Sequence, residues 1–299
     1  MRGARCAAVA AAATLLAALP GAVSAAPLRV LASFLPMYLF TVNVVGDTPG
    51  VKVEMMLPPS VGPHDYALTP GDMRKIASAD LFVANGLGME EFLGPPARKA
   101  NPRLRVVETA ASVAPLKEIP GKGHAGHAET NPHSWVSPKN AILQVRAIEQ
   151  ALIAASPGNA ARFRENAAAY VRRLRTLDRA YEEASKTFRG RNIVTFHNAF
   201  DYLARDYGLT IVGEVETAPG QEPSAGEILA LVRTIREKRV PALFAEPQFP
   251  TRTAETIARE ASIPMRVLDP VDTGSTAPET YEKVMRRNLD VLKEALSGR

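Results

Sequence analysis

At 299 residues and 46% hydrophobic content, the chain can bury one large core or two medium ones. Its formal net charge of +5 is spread along helical patterns without basic-aromatic interleaving, which argues against a nucleic-acid partner. The single cysteine, Cys6, sits near the start, so past that point no disulfide can form and any metal must be held by histidines and carboxylates.

Residues 1–26 read as a secretory signal peptide. Arg2 and Arg5 are followed by an apolar run over 7–19 and by small residues at Val23, Ser24 and Ala25, with cleavage expected after Ala25 or Ala26. Cys6 precedes the apolar run, so the reading is a secreted, periplasmic chain without a lipid anchor. Two of the 36 basic residues leave with this leader, against 31 acidic ones, so the remaining excess is slight.

Strands are expected at 28–34, 51–57, 80–85 and 103–107, with helices from Met37, from Pro70 and from about Met89. Thr69 to Asp72 has the pattern of a capping box. Residues 119–131 are polar and aperiodic, read as a loop that contains His124 and His127. Ser137 and Pro138 open a helix running to about Ala155.

Residues 156–188 carry the longest periodic pattern. Phe163, Ala167, Tyr170, Leu174, Leu177, Tyr181, Ala184 and Phe188 recur at steps of four and three, the spacing of one helix face. Ser156 is the expected cap and Pro157 the first helical residue. An ordinary surface helix would fit the pattern, but alternating strands and helices lie on both sides, which suggests a rigid strut between two lobes.

Beyond it, strands are expected at 192–196, 209–215, 242–246 and 265–269. Helices are expected at 199–207, after a Ser224–Glu227 capping box, at 252–261, and after a Thr276–Glu279 cap. The expected architecture is α/β: two lobes with parallel sheets flanked by helices, at 27–155 and 190–299, joined by one long helix at 156–189.

Four residues stand where such sheets bind ligands, outside the carboxyl ends of strands. His64 lies in a loop after a strand, His197 directly follows one, Asp269 ends another, and His133 precedes a helix. Three imidazoles and a carboxylate suit a divalent transition ion, with tetrahedral zinc the nearest match. Taken singly, each also reads as a surface histidine or a turn aspartate. Other chemistries fit worse: the segment GLGME (86–90) lacks the third glycine and the lysine of a phosphate loop, and Ser134 beside His133 lacks a nucleophile elbow. Glu246 also ends a strand, as a turn carboxylate, a general base or an outer partner of the site.

Five ordered motifs extend this reading: LPP (57–59) with PHDY (63–66), NPHSWVSP (131–138), VTFHN (194–198), AEPQF (245–249) and VLDP (267–270). Together they resemble the zinc/manganese solute-binding proteins of ABC transporters, the cluster A-I or zinc-uptake family. The resemblance spans nearly the whole chain after the leader. It implies metal held between two lobes, with ligand roles on His64, His133, His197 and Asp269. The reading is capture of the ion and delivery to a membrane permease driven by a cytoplasmic ATPase, by a monomer that is not an enzyme, since a closed four-ligand site leaves no place for an activated water.

Two departures from the family pattern bear on the ion. Zinc-specific relatives often carry a Glu before the first histidine and a long His-rich loop; here Pro63 stands in that place, which makes Asp269 the expected fourth ligand, and the loop is short. Manganese-specific relatives tend to have Glu at the third ligand position, where this chain has His197, so Zn2+ is expected over Mn2+. His124 and His127 could form an auxiliary capture arm, loaded by a zinc-donor protein, or a plain solvated insert. A zinc-dependent hydrolase and an adhesion protein are the remaining alternatives.

Overall fold

The computed structural model describes residues 26–64, 66–93, 99–117, 130–216 and 222–297. The expected leader and the loop bearing His124 and His127 lie outside the described residues.

The first half builds β1 (Leu28–Ala32), α1 (Leu35–Val45), β2 (Val51–Met55), α2 (Pro70–Ser78), β3 (Leu81–Ala84) and β4 (Arg105–Glu108). Its four strands are parallel in the order β2-β1-β3-β4. The second half repeats the design with β5 (Asn192–Thr195), α5 (Asp201–Tyr207), β6 (Thr210–Glu214), α6 (Ala225–Glu237), β7 (Leu243–Ala245), α7 (Arg252–Ala261), β8 (Met265–Val267) and α8 (Thr280–Leu296). Its order, β6-β5-β7-β8, is the same. Between the halves run α3 (Pro138–Ala155) and α4 (Ala160–Thr187).

Helix α4 is 28 residues long, roughly 42 Å at 1.5 Å per residue. Its whole expected stripe from Phe163 to Ala184 is buried, as is Phe188. The stripe packs against α1 and α3 on one side and against α5 and α8 on the other. One apolar core therefore runs from Val30 and Leu31 of β1 through α4 to Tyr281 and Met285 of α8. A smaller core lies between the second sheet and helices α6 and α7, around Val194, Leu243 and Ile257.

Caps and helix starts differ from expectation in three places. Both Thr69 and Ser224 close complete capping boxes as expected, with Asp72 and Glu227. Ser156 does not cap α4: it ends α3, Pro157 opens a separate 3-10 turn, and the Ser156 hydroxyl instead accepts from Asn159 Nδ2 at 3.0 Å. The last helix begins at Thr280 rather than behind a Thr276 cap, since Pro278 makes its carbonyl an acceptor for Asn43 Nδ2 at 2.7 Å. The helix expected from Met89 is, where described, a turn and a 3-10 turn at Glu91–Leu93. Gly86, Leu87 and Gly88, just ahead of it, all sit at positive φ, so no helix extends back past Met89, and helical residues reappear at 99–100.

Because α4 is buried along its length against both halves, bending it would break backbone hydrogen bonds and open the shared core. Small-angle scattering of the protein with and without zinc is expected to give superimposable curves; a marked compaction on loading would contradict a rigid strut.

Candidate metal centre

His64 is placed by the loop after β2. Val61 N–H bonds the Pro58 carbonyl at 3.1 Å, and the Pro59 carbonyl accepts from Gly274 N–H of the other half at 2.7 Å. Downstream, Tyr66 donates to Asp72 Oδ2 at 2.6 Å, inside the α2 capping box. Two prolines and a tight cap thus hold both ends of the loop.

His133 stands in a turn that the first sheet anchors. Asn85, just beyond β3, donates through Nδ2 to the Pro132 carbonyl at 2.9 Å and accepts from Ser134 Oγ at 3.1 Å. Asn131 Oδ1 accepts both from the His133 backbone N–H and from ring Nδ1, each at 2.9 Å. Its Nδ2 reaches across to the Asn198 carbonyl and to Asp201. Trp135, fully buried, donates from Nε1 to the Pro270 carbonyl at 2.7 Å and so ties this turn to the second half.

His197 leaves β5 directly and donates from Nδ1 to Glu246 Oε1 at 2.6 Å. Glu246 lies at the end of β7, fully buried, and its Oε2 accepts from Gln248 Nε2 at 2.9 Å. Both oxygens are engaged, so Glu246 is an orienting partner of His197 rather than a base open to water. Burial alone would lower the proton affinity of His197; the adjacent Glu246 carboxylate outweighs it and raises the pKa above the ordinary histidine value.

With Nδ1 of His133 and of His197 committed to these partners, their Nε2 atoms turn inward. His133 Nε2 lies 2.8 Å from His64 Nε2 and 3.3 Å from His197 Nε2. Tetrahedral zinc with Zn–N bonds of about 2.0–2.1 Å separates its nitrogen ligands by roughly 3.3 Å. The donor set and spacing fit that ion. Sites in which a carboxylate or carbonyl fixes the second imidazole nitrogen are the usual way a protein aims histidines at a metal.

Among the described residues, the ligand atoms gathered within 4.8 Å of one another belong to His64, His133 and His197 alone. Asp269 and Asp272 are both outside this group. In Asp269, Oδ1 accepts from Val271 N–H at 2.8 Å, while Asn288 of α8 bonds both the backbone N–H and the carbonyl. A second carboxylate near the imidazoles is Asp272, three residues on, which the sequence reading did not single out; its charge acts on His197. Asp272 is only 5% exposed, its Oδ2 accepts from Gln248 Nε2 at 3.3 Å, and its Oδ1 has no hydrogen-bond partner among the described residues. Burial, reinforced by the charge of Glu246 and opposed by His197, pushes its pKa up to about 7. A buried carboxylate oxygen without a partner, near imidazoles, has the chemistry to meet a cation. Nothing in residue type separates Asp269 from Asp272. Their surroundings differ, and between them the backbone of Val271 stands at φ 64°.

Two sheets of like topology on one spanning helix, with imidazoles from both halves meeting outside their strand ends, define a metal-ion solute-binding protein. A family model described as zinc-uptake complex component A, periplasmic (ZnuA), matches residues 30–295. The high-affinity zinc uptake system protein ZnuA of Bacillus subtilis is 32% identical over 282 residues, covering 90% of this chain and 88% of that one. The zinc-binding lipoprotein AdcA of Streptococcus pneumoniae is 32% identical over 89% of this chain but 55% of its own length, so the chain spans about half the length of such relatives. The solved structure of FpvC from Pseudomonas aeruginosa in complex with Mn2+ superposes with a TM-score of 0.80 at 31% identity, covering 90% of this chain and 98% of that chain. The chain belongs to the zinc-uptake complex component A family, a family of extracytoplasmic solute-binding transport proteins.

The Glu246–His197 contact gives a direct expectation. Glu246→Gln keeps the volume but removes the charge that orients His197, and should weaken zinc binding by roughly 10–100-fold. Titration against a chelating competitor checks this, and an unchanged affinity would make Glu246 a passive core residue.

Proposed function

We propose that this protein captures one zinc ion between its lobes and hands it to an ABC-type importer, a membrane permease with a cytoplasmic ATPase. His64, His133 and His197 are the imidazole ligands, and Asp272 is the fourth donor in place of Asp269. The observation that carries the reading is the placing of His133 Nε2 at 2.8 Å from His64 Nε2 and 3.3 Å from His197 Nε2, with His133 and His197 aimed by Asn131 and Glu246. A set of three nitrogens and one oxygen suits zinc better than manganese, which favours oxygen-rich shells. A site filled by four protein donors leaves no position for an activated water, and Glu246 is already bonded on both oxygens, so the reading is carriage rather than hydrolysis.

Around this site, the proposal takes residues 1–26 as a cleaved leader and the working protein as a periplasmic monomer without a lipid anchor. Its lobes are 27–155 and 190–299, joined by the helix at 156–189. His124 and His127 would act as an auxiliary arm receiving zinc from a donor protein.

Manganese is the second reading, favoured by the likeness to the Mn2+ complex of FpvC. Metal analysis of the purified protein followed by competition between the two ions separates them: zinc should displace manganese, and the reverse order would transfer the assignment. Replacing His64, His133 and His197 together by Ala should abolish tight binding of the ion while leaving the denaturation midpoint of the metal-free protein nearly unchanged. Retention of one tightly held zinc would refute the ligand assignment.

A further inference from the structure

Val271 is a β-branched residue, fully buried, at φ 64°. For such a side chain the left-handed region is a genuine outlier, and it persists only where neighbours over-determine it. Here they do. Asn288 holds the Asp269 backbone from both sides, at 3.0 Å and 2.7 Å. The Asp269 carboxylate accepts the Val271 N–H at 2.8 Å. The Pro270 carbonyl is taken by Trp135 Nε1 at 2.7 Å, and Gly274 N–H by the Pro59 carbonyl at 2.7 Å, both from the first half. The side chain that emerges from this turn is Asp272, with its unmet Oδ1.

We propose that residues 269–271 form a strained pedestal that aims Asp272 at the three imidazoles, with Asp269 a positioning residue and not a ligand. The inference rests on the reading of Asp272 as the fourth donor. The Asp269 carboxylate acts by accepting one backbone N–H, which offsets the cost of the Val271 conformation and keeps the turn from relaxing to negative φ. Relaxation would rotate the following peptide and withdraw Asp272 from the cleft. Two of the restraints come from the other lobe, so the fourth donor is in place only while the two halves are in register.

The pedestal and a ligand role for Asp269 predict opposite results from conservative substitution. Asp269→Asn keeps an oxygen acceptor for Val271 N–H, so zinc affinity and the visible spectrum of the Co2+-substituted protein should stay close to those of the parent. Asp269→Ala removes the acceptor and should weaken zinc by roughly tenfold or more, with a changed Co2+ spectrum. Val271→Gly, which adopts positive φ without strain, should recover most of that loss when combined with Asp269→Ala. Asp272→Asn serves as the reference for losing a carboxylate ligand. If Asp272→Asn changes neither affinity nor spectrum, the fourth-donor reading falls and the pedestal with it. If Asp272→Asn weakens binding but Asp269→Asn weakens it equally, Asp269 is a ligand and the pedestal alone is overturned. Additive losses in the Asp269→Ala/Val271→Gly protein, with its fold verified by circular dichroism, overturn it as well. The Asn and Ala substitutions at Asp269 decide the question by themselves should the glycine variant fail to fold.

Discussion

Three imidazole nitrogens whose lone pairs point at one another are the constraint on which the rest of this structure depends. At 2.8 and 3.3 Å, neutral Nε2 acceptors repel unless a proton or a cation lies between them. The protein fixes the ring orientations from behind, with Asn131 on His133 and Glu246 on His197, so two rings cannot simply turn away. A divalent ion with a preference for nitrogen would relieve the repulsion, and in the proposed site it would also meet the Asp272 oxygen that has no partner among the described residues. The same arrangement explains why Glu246 and Asn131 are buried polar groups with both side-chain ends bonded, beside Trp135 against His133 and Phe249 against His197.

Holding nitrogens from two lobes at that separation needs lobes that do not drift. The shared core along α4 supplies most of the stiffness, since its stripe is buried against helices from both halves. Close to the site, Trp135 adds a direct link: its ring N–H bonds the Pro270 carbonyl, and its own carbonyl accepts from Tyr281 of α8 at 2.7 Å. Arg173 of α4 joins Glu282 of α8 at 2.7 Å and also donates to Asn43 of α1, so one guanidinium spans both halves. On the proposed function, these links would confine rearrangement on loading to side chains and short loops.

Much of the fold was legible in the sequence because its signals are local. All eight strands were marked by short apolar runs ending in turn residues, and the α4 stripe by an unbroken four-three period. Two capping boxes formed because Thr69–Asp72 and Ser224–Glu227 satisfy their own N–H groups reciprocally, whatever lies around them. The failures were tertiary. Ser156 and Thr276 carry the same local signal, but chain direction at those points is decided by packing against α3 and by the Asn43–Pro278 bond. At the site, the three histidines were readable as residues that follow strand ends or precede a helix. Asp272 was not singled out, because it follows a turn through Val271 at a positive φ that this residue type disfavours.

The central claim is that three imidazoles and one carboxylate enclose a single zinc ion. X-ray absorption at the zinc edge of the loaded protein tests it most directly. The account predicts a four-coordinate shell at about 2.0–2.1 Å, with outer-shell scattering from three imidazole rings and one oxygen donor. A six-coordinate, oxygen-dominated shell, or scattering from fewer than three imidazoles, would contradict it.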